Sequence, residues 1–236
     1  MTVPTPPPDT AGASPGVSGR VGPVSAGAAR DARLAWIIGG SLLVAHSAAI
    51  LTFNDMPMPL PGGDLVLAAV WAGALLVLAF GIRRSGSVVA RRPLGVTALV
   101  IAAVHPIVSM LVLILVPFDP SDPTAGIMMT HTLAVVQLAA LAVAAVVIGR
   151  AGAVPHRLRW VPLIVLAVSA GAQIALQVVA VGIPNALLQP GMVGLFQGAA
   201  LLGTLGLLVL GILSIVFAPR EQAQPGDPVQ IFPPTA

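Results

Sequence analysis

Six long apolar runs separated by short polar breaks make up most of the chain, at 34–53, 65–82, 94–116, 127–149, 160–182 and 192–218. A helix rises about 1.5 Å per residue, so about twenty apolar residues cross the roughly 30 Å hydrocarbon core of a bilayer. The pattern predicts an all-α polytopic membrane protein with six transmembrane helices in three hairpins. The breaks carry helix-stopping residues, with Pro57, Pro59, Pro61, Gly62 and Gly63 in the first and Pro117, Pro120, Pro123 and Gly126 in the third. The last run is the longest, which leaves room for tilt.

Residues 1–31 and 219–236 are rich in proline and small residues and show no apolar periodicity. Such segments bury too little surface to offset the entropy of ordering, and they read as disordered tails around a bundle at 32–218. The first twenty residues lack the basic and apolar regions of a signal peptide.

The arginines give the threading its direction. Short loops rich in arginine stay on the cytoplasmic side, whereas acidic residues carry little orienting weight. Arg83, Arg84, Arg91 and Arg92 bracket the second break and determine the topology. If each run crosses once, Arg20, Arg30, Arg33, Arg150, Arg157, Arg159 and Arg220 fall on the same side, and Asp55, Asp64, Asp119 and Asp122 on the other. Both termini are therefore expected inside. Trp36 and Trp160 sit where interfacial tryptophans belong.

Composition agrees, with 57% hydrophobic and 8% charged residues and a mean hydropathy of +0.99, against about a quarter charged in a soluble domain. The basic balance does not point to nucleic acid, because the arginines flank apolar spans and have no aromatic interleaving. The lipid bilayer is the implied partner. Arginine is used without any lysine and alanine is abundant, which suggests a GC-rich bacterial genome and a plasma membrane. The absence of cysteine excludes disulfides and thiolate metal sites. Every loop is about ten residues long, too short for a folded domain of about 50. Any activity thus lies in the bundle or at its mouths, no catalytic set is read, and a membrane-anchored soluble enzyme is excluded.

The runs contain no Asp, Glu, Lys or Arg, so His46, His105 and His131 are the titratable groups within them. Coupled carriers usually keep an ionisable group in the membrane, which makes these histidines the residues to weigh. A faint repeat places two of them at one depth. Residues 84–91 align with 150–157 at both arginines, the glycine and the valine, and His46 and His105 each follow an arginine by thirteen residues, with Gln173 fourteen after Arg159. That is about 20 Å from the inner boundary at the helical rise.

On the third run, Ala98, Ala102, His105 and Ser109 share one face, and Pro106 removes the donor that would serve the Ala102 carbonyl. Gln173 and Gln177 share a face of the fifth.

Three readings follow. In one, the bundle is a permease for a small neutral or amphiphilic solute, with His46, His105, Gln173 and Gln177 along a polar path and His131 and Gln197 at the outer mouth. In another, it is an accessory or structural subunit whose polar residues hold helices together. In the third, His46 and His105 face each other and ligate a b-type haem. A metal site at His131 with Asp119 and Asp122 is outweighed by the helix-stopping role of that loop, and His156 reads as interfacial. Gly194 and Gly198 form a GxxxG continued by Gly203, Gly206 and Gly211, a close-packing surface that serves either this bundle or a second subunit, with packing inside the bundle the expectation.

Overall fold

The structure of the protein, a computed structural model, describes residues 26–53, 62–83, 85–116, 124–152, 154, 158–182 and 190–219. Of the expected tails at 1–31 and 219–236, residues 1–25 and 220–236 lie outside the described residues, as do Asp55, Arg84, Asp119, Asp122, His156 and Arg157. Six helices follow one another: α1 Ala26–Phe53, α2 Gly63–Phe80, α3 Pro93–Leu115, α4 Thr124–Ala151, α5 Val161–Gly182 and α6 Pro190–Val216. All six are long and apolar enough to cross a membrane.

Helix α1 starts eight residues before the apolar run and inside the segment expected to be disordered. The reason is local, because Ala28, Ala29, Arg30, Ala32 and Arg33 are among the strongest helix formers, and propensity alone extends the helix backwards.

Each helix packs against its neighbours in chain order, and α6 returns to pack on α1. The six therefore form a closed ring. No other helix pairs bring their backbones close together among the described residues. The seam that closes the ring depends on two glycines. A methyl group on Gly40 would lie 2.7 Å from the Gly211 carbonyl oxygen, and one on Gly211 would lie 2.9 Å from the Gly40 carbonyl oxygen. Backbones this close exclude any side chain at either position. Alanines do the same elsewhere, and Ala74 and Ala79 on α2 and Ala102 and Ala103 on α3 are fully buried.

The glycine-rich face of α6 divides in two. Gly206 and Gly211 pack tightly inside the ring, but methyl groups on Gly194 and Gly198 would meet nothing within 4 Å among the described residues. The close packing expected of the GxxxG pair is therefore not seen among the described residues. The two outermost glycines fall beyond the stretch where α6 meets Val165 on α5 and Gly40 on α1.

The loop between α2 and α3 is folded rather than a plain hairpin turn. Ile82 and Ser85 exchange backbone hydrogen bonds at 3.0 and 2.9 Å, and the Val88 amide donates to Leu78 O at 3.0 Å. The Ser87 hydroxyl donates to Ala79 O at 2.6 Å. These contacts turn the loop back into the mouth of the ring and bury Val88 and Val89, the latter completely. Gly86 makes the close pass against α1, with φ of 80° and its Cα facing Ala32. The Trp36 indole then donates to Gly86 O at 3.0 Å and ties α1 to the loop. Arg83, Arg91 and Arg92 stay exposed around this plug.

Candidate binding site within the helix ring

Four helices are joined near mid-depth by side chains that reach neighbouring backbones. The starting point is Pro106, which has no N–H for the carbonyl four residues earlier. Ala102 O is consequently free, and it accepts from two directions: Trp71 Nε1 on α2 at 3.0 Å and Gln137 Nε2 on α4 at 3.4 Å. His105 returns the contact, donating from Nε2 to Leu133 O on α4 at 2.7 Å. Because a carbonyl only accepts, Nε2 is the donor in this contact, and the Ser109 hydroxyl lies 3.4 Å from both ring nitrogens. On the other flank His46 donates from Nδ1 to Leu67 O on α2 at 3.1 Å. Its ring lies 5.4 Å from that of Trp71, tilted by 43°.

This arrangement separates the two histidines. His46 turns to α2 and His105 to α4, and their own helices, α1 and α3, are not in contact. Two imidazoles facing each other across one haem are not present: a ring nitrogen of His46 is held by Leu67 O on α2 and one of His105 by Leu133 O on α4. The pair does not fit a bis-histidine haem. Equal depth placed them on one level of the ring, but the rotation of each helix sends them to different neighbours.

The other expected site residues scatter. Gln173 is half-buried on α5, Gln177 on the same helix is exposed, and Gln197 is exposed on α6. His131 is exposed and donates to Ile127 O of its own helix at 2.9 Å, as Thr130 and Thr132 do to Gly126 O and Met128 O. His131 and Gln197 sit on α4 and α6, which do not touch. Among the described residues no three His, Asp or Glu side chains gather as a metal site would require.

What the ring encloses instead is space. An inner cavity of about 340 Å³ is lined from every helix, among others by Trp36, Leu75, Leu99, Leu141, Val165 and Leu210, with Val88 of the folded loop also in its wall. Its walls are almost wholly apolar, with Gln137, Ser169 and Ser214 as the polar lining residues. A second cavity of about 380 Å³ lies toward the start of α2 and is lined by His46, Asp64, Pro106 and Met110 among others. Trp71 and Leu207 line both. The two spaces therefore meet at one indole and one leucine, and the hydrogen bond to Ala102 O holds that indole in place.

Gln137 is the residue that sequence reasoning missed. A lone amide in the middle of the 28-residue apolar helix α4 was the available signal, since a polar side chain at that depth needs a partner. No family model matches the chain, and neither a curated protein nor a solved structure is found to be similar to it. Six apolar helices are compatible with an integral membrane protein, and beyond that class its geometry is the guide to what it does.

Proposed function

We propose that the protein is a permease-type membrane protein that holds a lipophilic or amphiphilic small solute inside its ring of helices. The observation that carries this reading is the meeting of two cavities at Trp71 and Leu207 on the inside of a closed ring. A cavity of about 300 Å³ or more with apolar walls and a few polar groups is the usual form of a small-molecule site. In this reading Trp71 and Leu207 form the partition between an inner chamber and an outer one, and His46 is the one member of the expected polar path that lines a chamber.

The same reading puts the chain in a bacterial plasma membrane with both ends inside. Its support is that Arg30, Arg33, Arg83, Arg91, Arg92, Arg150 and Arg159 all lie at the start of α1, α3 or α5 or at the end of α2 or α4, as short cytoplasmic loops require.

The test is occupancy. Trp36 and Trp71 both line the inner cavity, so in a Trp160→Phe variant in detergent micelles 1-bromodecane is expected to quench emission saturably. Filling the cavity by Ala144→Phe is expected to abolish the saturable part while the protein stays folded. Quenching that rises only linearly with the micellar content of probe, in both proteins, would remove the reading.

A further inference from the structure

The second cavity has its side-chain donors used and its acceptors free. The Trp71 indole in its wall gives its proton to Ala102 O, and His46 gives that of Nδ1 to Leu67 O. A neutral imidazole with its proton on Nδ1 keeps a lone pair on Nε2. That nitrogen has no hydrogen-bond partner among the described residues, and it is not one of the buried atoms left without one, so it is accessible. Asp64 is exposed, and its carboxylate has no ion pair or hydrogen bond among the described residues.

The spacing on α2 arranges these groups along one wall. Asp64, Ala68 and Trp71 follow one another by four and three residues and share a face of the helix. Asp64 lines only the second cavity, whereas Trp71, about two turns further on, borders both. No lysine or arginine lines either space. The wall therefore runs from a negative, acceptor-rich end to an apolar one. An acid in the first turn of a helix also meets the helix dipole, but the dipole leaves the imidazole lone pair in the same cavity unexplained.

From this we infer that the second cavity takes the protonated amino group of a lipophilic amine. Its N–H bonds go to the Asp64 carboxylate and to His46 Nε2, and its alkyl chain passes Trp71 and Leu207 into the inner cavity. The inference rests on the solute-binding reading above and names the charge and head group of the solute. An ammonium group supplies both the positive charge and several donors. A hydroxyl brings one donor and no charge, and a carboxylate brings neither at neutral pH.

Three amphiphiles with the same chain separate the head group from the tail: decylammonium, decan-1-ol and decanoate. With the full chain carrying Trp160→Phe in a nonionic detergent at pH 7, each competes with 1-bromodecane, and recovery of Trp36 and Trp71 emission reads the displacement. At equal micellar mole fraction decylammonium is expected to displace the probe about three- to tenfold more effectively than decan-1-ol, the ratio that a partly exposed charge-assisted hydrogen bond gives. Decanoate is expected to be the weakest. Asp64→Asn removes the charge and is expected to bring decylammonium to within about twofold of the alcohol, a comparison in which the micelle's own preference cancels. His46→Phe, which keeps a ring beside Trp71 without the lone pair, is expected to lower the preference as well. Equal displacement by ammonium and alcohol in the parent overturns the inference while the cavity reading stands, as does a preference that survives Asp64→Asn. A preference that falls in Asp64→Asn but not in His46→Phe makes Asp64 a surface counter-charge and overturns the site. If 1-bromodecane does not quench saturably, the cavity reading itself fails. Should His46→Phe not fold, the parent measured at about 0.5 M salt decides, because attraction to a surface charge is screened there and a direct contact largely persists.

Discussion

The indole N–H of Trp71 on α2 donates, at 3.0 Å, to the carbonyl of Ala102 on α3, the carbonyl that Pro106 leaves without a helical partner. A proline in one helix and a tryptophan in the next thus act as a single joint. Substituting Trp71→Phe removes the donor and is expected to cost about 1 kcal/mol in detergent unfolding. In a Pro106→Ala background the restored N–H at position 106 serves Ala102, and the same substitution is expected to cost measurably less. A double-mutant cycle with no coupling between the two positions would show that the joint does not contribute to stability.

The seam between α1 and α6 is expected to be the least tolerant of added bulk. Gly40→Ala or Gly211→Ala places a methyl group against facing backbone at 2.7 to 2.9 Å and is expected to destabilise the fold by about 1 to 3 kcal/mol. Gly194→Ala and Gly198→Ala meet open space among the described residues and are expected to stay within about 0.5 kcal/mol of the parent protein. Thermal unfolding of the four variants in one detergent checks both halves.

The folded loop is expected to loosen when Gly86 is changed. Its φ of 80° and its position against Ala32 make Gly86→Ala unfavourable on two counts, backbone strain and overlap. Val88 and Val89 then leave the mouth of the ring. Trypsin cleavage after the exposed Arg83 and Arg91 is expected to become several-fold faster than in the parent protein. An unchanged rate would mean that the plug does not depend on this glycine.

Threading can be read with engineered thiols, because the chain has no cysteine of its own. Gly62→Cys, at the start of α2, is expected to react with an impermeant maleimide in intact cells. Arg83→Cys, at the other end of the same helix, is expected to react only after lysis, and a reporter joined after Ala236 to stay inside. Reaction of both thiols in intact cells would contradict the charge rule on which the orientation rests.

The helices were legible because hydropathy is a local property, and twenty apolar residues in a row have few other destinations. The freed carbonyl of Ala102 was legible for the same reason, as a consequence of Pro106 alone. Its partners were not, because Trp71 and Gln137 are 31 and 35 residues away and only the ring brings them there. The histidines show the limit most clearly. Distance from the flanking arginines gave His46 and His105 a common depth, but the direction of a side chain depends on how its helix is turned, and packing sets that. The buried valines of the 81–92 loop were hidden by their polar neighbours, since two apolar residues form no periodic pattern. The start of α1 was missed because Arg30, Asp31 and Arg33 interrupt the apolar pattern, although alanine and arginine still favour helix.

Because α6 is, among the described residues, the helix that packs back onto α1, the cavity is completed only when the sixth helix is in place. Until it arrives, a nascent chain of five helices presents the flat strip around Gly40 with nothing to cover it, and the space beside Gln137 has a missing wall. Assembly order and the interior are coupled in this architecture: a polypeptide cut short before residue 190 lacks the wall that α6 supplies to the cavity.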